Sequence, residues 1–317
     1  MSLRVVVIGV GHLGRFHAQK IRALSPLCDL AGIVEPSTAR REEMVREFGC
    51  PSFARLEDVP AADAAIIAAP TIHHFALSKA CLERGWHILV EKPVVRTVEE
   101  GRSLVALAEQ HPKLIVTVGQ IERFNPAVLA AERFGDKPWY IVGERLGPFK
   151  ERSTDVDVID DLMIHDLDLC LRWVRSEPAD IRAVGVSIFT ELVDMANARI
   201  EFQNGAVCSL TASRSSLEST RKLRLFTASR YLSLDLGQKA VKSVRRHPPK
   251  DGSAWPEIEM EPVDVVPSDA LLEENRAFLQ ACLGNGPNLV PLEEAVATVE
   301  LAEKVKRALK TPGIPRT

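Results

Sequence analysis

The chain has 317 residues, 46% hydrophobic and 26% charged, an ordinary composition for a globular protein long enough to form two domains. Its formal net charge of −3 excludes a global positive field, so we expect no nucleic-acid partner. The sequence shows no signal-peptide core and no membrane-spanning apolar run, and its six cysteines are scattered without a C-x-x-C pair. We therefore expect a cytoplasmic protein with no membrane partner and no metal site.

The first predicted element is a buried strand, Val5–Ile8, followed by three glycines in the spacing G-x-G-x-x-G and then by a helix. This context is typical of a dinucleotide site, where the glycines permit a tight turn, a close approach of pyrophosphate and close helix packing. The first N–H groups of the helix then meet the diphosphate. A plain glycine turn is the alternative. The predicted cofactor-binding residues of this loop are Gly9, Gly11, His12, Leu13 and Gly14.

Glu35 ends the next predicted strand, Leu30–Val34, at the distance from the glycine loop that is typical of a ribose-binding acid. Its carboxylate would accept hydrogen bonds from the adenosine ribose and repel a 2′-phosphate. We therefore predict NAD rather than NADP, although Arg40 and Arg41 would soften that repulsion. A solvated carboxylate at a strand end is the alternative.

The fold class predicted from the order of elements is α/β followed by α+β. Strand and helix patterns alternate at first, which predicts a dinucleotide-binding Rossmann domain with a doubly wound parallel sheet over residues 1–122. From Trp139 to about Leu236 most of the signals are strands. They predict a substrate-binding and oligomerisation domain over residues 123–317, with an open antiparallel sheet carrying helices on one face.

Lys92 is the first candidate for chemistry. Glu91-Lys92-Pro93 follows the predicted strand His87–Val90. Because ligands bind beyond the carboxyl ends of parallel strands, Lys92 is predicted at the same crevice as the glycine loop. A surface lysine beside a turn is the alternative.

A predicted helix around Asp161–Val174 carries the second candidate site. Asp161, His165 and Asp168 are spaced i, i+4, i+7, which predicts one shared helix face. An acid beside an imidazole suits proton transfer near neutral pH. A solvated face with a weak Asp–His pair is the alternative; a metal site would need a third strong ligand nearby.

Arg145, Lys150 and Arg152 form a basic cluster on the segment that leads to this helix. Arginines there would clamp a diphosphate through charge-assisted hydrogen bonds, which a free sugar would not need. We therefore predict Arg145 and Arg152 as substrate-binding residues. The alternative is a solvated loop whose charges pair with neighbouring acids.

Several stretches together resemble the glucose–fructose oxidoreductase / inositol dehydrogenase family, Gfo/Idh/MocA, in the order typical of that family. The chain departs from many relatives at Asp157–Asp160, where they carry glycines before the aspartate. Within the family, the segment that begins at Asp161 is similar to members acting at C3 of UDP-N-acetylglucosamine. The matching stretches are Gly9–Gly14, Ala69–His74, Gly85–Pro93, Arg123–Pro126 and Asp161–Asp166.

The resemblance implies an NAD(P)-dependent oxidoreductase that transfers a hydride between nicotinamide and a secondary hydroxyl of a sugar, cyclitol or nucleotide sugar. It gives Lys92, Asp161 and His165 the catalytic roles, in contact with the substrate. It also implies a homodimer or homotetramer formed through the outer face of the antiparallel sheet. Alternatives are a reductase of another carbonyl or imine and a non-catalytic NAD(H)-sensing regulator. The further cofactor-binding residues that we predict are Ala69, Pro70, His74, Glu91, Lys92 and Gln120.

Overall fold

The computed structural model describes residues 2–149, 156–249 and 254–310. The strands in these ranges are β1 (Leu3–Ile8), β2 (Cys28–Val34), β3 (Ser52–Phe53), β4 (Ala64–Ile67), β5 (His87–Glu91), β6 (Val116–Gly119), β7 (Tyr140–Leu146), β8 (Pro178–Val186), β9 (Met195–Phe202), β10 (Val207–Ser213), β11 (Thr220–Phe226), β12 (Arg230–Asp235), β13 (Ala240–His247), β14 (Glu257–Glu261) and β15 (Leu309–Lys310). The α-helices are α1 (His12–Ala23), α2 (Thr38–Phe48), α3 (His74–Glu83), α4 (Val98–Glu109), α5 (Pro126–Glu132), α6 (Ile164–Val174), α7 (Ala270–Cys282) and α8 (Leu292–Ala308).

The chain forms two compact units that do not follow simple chain order. Of the described residues, those up to 121 and those of 269–299 form the first unit, and those of 122–268 and from 300 to 310 form the second. The sequence predicts a single domain over residues 123–317, so the structure differs for 269–299. The reason is that Phe278 and Leu279 of α7 are buried in the core around β1, beside Ile21 of α1.

The first unit is built on a six-stranded sheet in the order β3-β2-β1-β4-β5-β6. Every pairing in it is parallel, which confirms the predicted doubly wound sheet. The order switches direction between β1 and β4, because β2 and β3 follow on one side of β1 and β4 to β6 on the other. The carboxyl ends of these two strands therefore flank the crevice in which this fold binds ligands.

The second unit is built on a nine-stranded sheet in the order β14-β13-β12-β11-β7-β10-β9-β8-β15. It is mostly antiparallel, as predicted, but β7 runs parallel to β10 and β15 runs parallel to β8. Asn204 and Gly205 lie in the hairpin turn that joins β9 to β10, with Gly205 in the left-handed region at φ +84°. β13 and β14, whose exposed positions are mainly charged, lie beyond the strands that the sequence predicts.

Side chains alternate along these strands between a buried face and an open one. Leu223, Leu225, Leu232 and Leu234 belong to the core that also contains Leu167 of α6. The opposite face of the same strands is partly exposed. In the described ranges, no helix combines the length and apolarity required to cross a bilayer.

Candidate cofactor and proton-transfer sites

The glycine loop after β1 has the geometry that a diphosphate requires. Gly9 adopts φ +81°, and a Cβ on it would lie 2.6 Å from the Ala69 backbone, while a Cβ on Gly14 would collide with the Gly9 carbonyl. A Cβ on Gly11, by contrast, would meet no described atom within 4 Å. Gly9 and Gly14 are therefore needed for packing, and Gly11 faces open space. His12 and Leu13 are exposed in the first turn of α1, which begins at this space.

Glu35 stands at the carboxyl end of β2 and reaches the glycine loop. Its Oε2 accepts a hydrogen bond of 3.2 Å from the Val10 N–H, and its Oε1 accepts one of 3.1 Å from the Ser37 N–H. The Arg40 guanidinium donates to the Val10 carbonyl and pairs with Glu43. The partly exposed carboxylate of Glu35 is thus held beside the loop in which a ribose would lie.

Arg41 is also held by its neighbours. Its Nη1 donates to the carbonyls of Glu35 and Pro36, and its Nη2 donates to the Thr38 hydroxyl. Because these three hydrogen bonds all go to the segment that follows β2, Arg41 stabilises the conformation of that segment. These contacts leave the acid rather than the arginine as the group beside the loop.

The residues after β4 and β6 also reach the crevice edge. Ala69 and Pro70 follow β4, and Pro70 is exposed. Gln120 follows β6 and is 2% exposed, yet its side-chain oxygen has no hydrogen-bond partner among the described residues. A buried acceptor in this state fits an N–H group of a bound ligand. The open space at Gly11 and the acceptor of Gln120 together fit a dinucleotide.

The side chains of His74 and Glu91 face the interior, which corrects the prediction that they line the cofactor. His74 is 1% exposed, and its two ring nitrogens lie 2.8 Å from the carbonyl oxygens of Ala69 and Pro93. Burial lowers the pKa of His74. Its ring therefore links the segments that follow β4 and β5. Glu91 is 7% exposed and pairs with buried His17.

Lys92 directly follows β5, so it lies at the carboxyl edge of the six-stranded sheet, as predicted. Its side chain is half-buried, and its peptide bond to Pro93 is cis. Its backbone N–H donates to Glu91 Oε2 over 3.3 Å. The lysine and the glycine loop therefore stand at the ends of β5 and β1, which are separated by β4 alone.

Asp161 and His165 lie at the start of the predicted helix in the second unit, and both are half-buried. The helix opens with a π-helical turn, Ile159–Met163, and becomes α-helical at Ile164. The Asp157 carboxylate caps the turn by accepting hydrogen bonds from the N–H groups of Ile159 and Asp160, at 2.9 and 3.0 Å. A wide turn of this kind is common at functional sites.

Asp168 is buried, whereas Asp161 and His165, with which it was predicted to share one helix face, are half-buried. Its carboxylate is 1% exposed and accepts two hydrogen bonds, of 2.6 and 2.7 Å, from Arg123. His165 and Asp168 both lie in α6, whereas the π-helical turn places Asp161 outside the α-helical register on which the prediction of one shared face rested. Asp168 therefore serves as an anchor of α6.

Arg145 is also an anchor, and the structure does not support its predicted role in substrate binding. It is 4% exposed, donates to Glu122 over 2.8 Å and forms a two-pronged pair with Asp166, whose closest contact is 2.7 Å. These two carboxylates raise the pKa of Arg145 against the effect of burial. The alternating pattern of β7, in which Ile141 and Gly143 also face inward, is the sequence signal for this orientation. Lys150 and Arg152 lie outside the described residues.

Comparison with family models gives two matches. Residues 3–120 match the family described as "Oxidoreductase family, NAD-binding Rossmann fold". Residues 132–228 match the family described as "GFO/IDH/MocA C-terminal domain". The two matches fall largely in the first and second units, respectively.

Two curated proteins illustrate the similarity in sequence. The chain is 40% identical over 293 residues to a UDP-N-acetylglucosamine 3-dehydrogenase of Acidithiobacillus ferrooxidans, which covers 90% of this chain and 91% of that protein. It is 31% identical over 235 residues to a scyllo-inositol 2-dehydrogenase (NAD(+)) of Bacillus subtilis, which covers 68% of each.

Solved structures show the same similarity. The Acidithiobacillus ferrooxidans UDP-N-acetylglucosamine 3-dehydrogenase superposes with a TM-score of 0.90 at 38% identity, over 98% of each chain. A levoglucosan dehydrogenase in complex with NADH and levoglucosan superposes with a TM-score of 0.83 at 19% identity, over 97% of each chain. The second match shows the fold alone.

Proposed function

The chain belongs to the GFO/IDH/MocA oxidoreductase family, and on that premise we propose that it oxidises the C3 hydroxyl of UDP-N-acetylglucosamine with NAD⁺. The geometric observation that carries a dehydrogenase function is the position of Lys92 on the same sheet edge as the open glycine loop. The choice of substrate is supported by the relative that is 40% identical over 90% of the chain.

The residues proposed for catalysis divide the proton transfer from the stabilisation of charge. His165 takes the proton of the reacting hydroxyl, directly or shared with Lys92, while the carbon–hydrogen bond breaks and a ketone forms. Lys92 donates a hydrogen bond to the reacting oxygen as negative charge grows on it. Asp161 holds one of these two groups by charge and hydrogen bonding. NAD⁺, when bound, accepts the hydride.

The proposed cofactor residues are those that remain at the crevice edge. The glycine loop with His12 and Leu13 would hold the diphosphate, and Glu35 the adenosine ribose. Ala69, Pro70 and Gln120 would line the remainder of the site, with the Gln120 oxygen available to an N–H group of the ligand. Because Glu35 carries the charge nearest the ribose position, the proposal favours NAD over NADP.

A cyclitol is the second candidate substrate, because the Bacillus subtilis relative is a scyllo-inositol 2-dehydrogenase. The deciding experiment incubates the protein with NAD⁺ and, separately, UDP-N-acetylglucosamine, N-acetylglucosamine and scyllo-inositol, and follows NADH formation by absorbance. We expect turnover with the UDP-sugar. Turnover of scyllo-inositol without response to the UDP-sugar would transfer the assignment to cyclitols. No turnover of any hydroxyl substrate, together with reduction of an imine or another carbonyl, would overturn it.

We further propose that the protein forms a homodimer or homotetramer through the open face of the nine-stranded sheet. An apolar row crosses five strands of this face in direct register, with Phe226 40% and Met260 66% exposed. A continuous, partly exposed apolar row favours association. Light scattering should give a molar mass of two or four times 34.9 kDa, and Phe226→Glu should shift that mass towards the monomer. The row comprises Tyr140, Phe226, Tyr231, Val244 and Met260.

A cytoplasmic location is also part of the proposal. All six cysteines are free thiols, and five of them are buried. Reduced cysteines are the rule in the cytosol.

A further inference from the structure

Four buried polar side chains meet beside Lys92 inside the first unit, and the proposed mechanism uses none of them. We call His17 on α1, Glu91 on β5, and Glu274 and Asn275 on α7 the buried cluster; all four are less than a tenth exposed. His17 Nε2 lies 2.7 Å from Glu91 Oε1. On the other side of the ring, His17 Nδ1 lies 3.0 and 3.2 Å from the Asn275 amide atoms.

Glu274 is the anomalous member of the buried cluster. It is 0% exposed, and neither of its carboxyl oxygens has a hydrogen-bond partner among the described residues. Burial and the charge of Glu91 both raise its pKa well above the ordinary value. Two carboxylates beside one histidine cannot both hold a negative charge cheaply without solvent, which favours the neutral, protonated form of Glu274.

The geometry of the cluster fits a proton rather than a metal ion. The ligand atoms of His17, Glu91 and Glu274 all lie within 4.8 Å of one another, which is close enough for metal binding to be considered. A metal ion bound at ~2 Å to histidine and carboxylate would hold those two ligand atoms roughly 3 Å apart or more. The observed 2.7 Å between His17 Nε2 and Glu91 Oε1 is the distance of a charge-assisted hydrogen bond.

Glu91 connects the buried cluster to the backbone at Lys92. Its Oε1 is bound to His17, while its Oε2 accepts the Lys92 N–H over 3.3 Å. The neighbouring strand leaves room for this carboxylate, because a Cβ on Gly119 would lie only 2.8–2.9 Å from its atoms. The position of the Glu91 carboxylate is therefore fixed from three sides, and one of them is the residue proposed to polarise the reacting oxygen.

We propose that His17 is a positioning residue for Lys92, acting through Glu91, and that neutral Glu274 and Asn275 keep the His17–Glu91 pair intact. The inference rests on the proposed catalytic role of Lys92. A shift of a reacting group by about 1 Å lowers the reaction rate on the order of 10²-fold. Contacts that hold Lys92 rigidly in place should therefore preserve the rate.

The test compares His17→Leu, which removes the hydrogen bond to Glu91, with His17→Gln, which retains a donor. We expect His17→Leu to lower kcat by roughly 10²-fold, with KM for the sugar and Kd for NAD⁺ nearly unchanged, and His17→Gln to recover much of the loss. Glu274→Gln, which is neutral and of the same shape, should keep near-normal kcat. Ser78→Ala, which also removes a buried polar group from the first unit, is the matched control.

A double-mutant cycle separates positioning from a general loss of structure. If His17 acts through Lys92, then His17→Leu should cost nothing further in a Lys92→Ala background. Additive losses would overturn the proposal, as would stoichiometric metal in the purified protein that EDTA removes together with activity. Circular dichroism and thermal melts of each variant identify any loss caused by unfolding.

The outcomes also distinguish this proposal from the proposed function. Full activity of Lys92→Ala would overturn the catalytic assignment itself. A strong loss in Lys92→Ala with normal kcat in His17→Leu would overturn the positioning role alone. If the UDP-sugar is not a substrate, competitive chemical labelling of the Lys92 amine across pH gives a readout without turnover. We then expect its labelling profile to change in His17→Leu and not in Ser78→Ala, and an unchanged profile would overturn the proposal.

Discussion

The two units support their candidate sites in different ways. In the first unit, the groups at the candidate cofactor site lie on loops whose shape is set by glycine and backbone contacts. In the second unit, the candidate groups Asp161 and His165 lie at the start of a helix that buried ion pairs hold in place. Gly9 and Gly14 permit the close packing around the first site. Arg123 and Arg145 bind Asp168 and Asp166 on α6, the helix that carries His165. Backbone N–H groups can hold a diphosphate directly, but an imidazole that transfers protons needs a fixed support.

The largest effect should come from removing the proposed proton-transfer groups. Lys92→Ala and His165→Ala should each lower kcat by roughly 10²–10⁴-fold, the range for general acid–base catalysis, while NAD⁺ still binds. Steady-state kinetics and a cofactor titration measure both effects. The matched controls are residues of the same types away from the site, Lys79→Ala at an exposed lysine and His247→Ala at a half-buried histidine. Near-normal rates in both active-site variants would contradict the assignment.

Breaking an ion pair under α6 should cost stability rather than substrate affinity. Arg145→Met leaves Glu122 and Asp166 buried without their partner, which should lower the free energy of unfolding by about 3–5 kcal/mol. Urea denaturation measures this loss, and Arg199→Met, which removes an exposed pair with Glu201, should change it little. A stable Arg145→Met protein with selectively weakened UDP-sugar binding would instead support a role of Arg145 in substrate binding.

These two regions also show how far the sequence predicts the structure. The glycine loop, the parallel sheet and the position of Lys92 follow from local patterns, because strand ends and turns are set by nearby residues. The contacts of Arg145 are not local, since its partners Glu122 and Asp166 lie 23 and 21 positions away. The charged loop that follows it in sequence suggested solvent, whereas the alternation of β7 turns it inward.

Long-range packing also explains the two errors of architecture. The periodicity of α7 indicates that one face is buried, but not which core that face enters, and Phe278 enters the core of the first unit. The π-helical turn at Ile159–Met163 depends on a single extra residue per turn. Helical spacing alone does not reveal such a turn, so Asp161 was placed in one α-helical register with His165 and Asp168, which both lie in α6.

The buried cluster places a hydrogen-bonded His17–Glu91 pair in the first unit, and the raised pKa of its second acid, Glu274, should make stability depend on pH. A carboxyl group with a raised folded pKa binds its proton more tightly in the folded state. Its stabilising contribution is therefore complete below the ordinary glutamate pKa and is lost as pH rises towards the raised value, by about 1.4 kcal/mol per pH unit. The glutamine side chain of Glu274→Gln cannot ionise, so the free energy of unfolding of this variant should not show this decline as pH rises.

Urea unfolding of the wild type and of Glu274→Gln at a series of pH values tests this sign. We expect the variant's relative stability to increase as pH rises. Glu201→Gln, at an exposed carboxylate, should follow the wild-type curve throughout. Parallel curves for wild type and Glu274→Gln would show that Glu274 is ionised in the folded protein or titrates with its ordinary pKa.

Two glycines of one loop allow the backbone argument to be tested within a single site. Gly9→Ala forces φ +81° on an L-residue and a contact of 2.6 Å with Ala69, so it should lower stability by ~1–2 kcal/mol or more. Gly11→Ala meets open space and should leave stability within about 0.5 kcal/mol of the wild type while weakening NAD⁺ binding. Thermal melts with and without NAD⁺ separate the two effects. Equal melting temperatures and equal NAD⁺ affinities for both variants would contradict the division of roles.

The smallest effect concerns Glu35, the one side chain that we assign to the adenosine ribose. Its carboxylate already holds the Val10 N–H, so Glu35→Gln should remove mainly the charge and keep a hydrogen-bonding group beside the ribose. We expect NAD⁺ affinity to fall by about 0.5–1.5 kcal/mol, the scale of one hydrogen bond, and NADP⁺ affinity to rise because the 2′-phosphate no longer meets a negative charge. Titration of both cofactors measures the ratio, and Glu42→Gln, at an exposed acid of α2, is the control. If NADP⁺ already binds more tightly than NAD⁺ to the wild type, Glu35 does not select the cofactor, and Arg40 or Arg41 must leave its backbone partner to meet the phosphate.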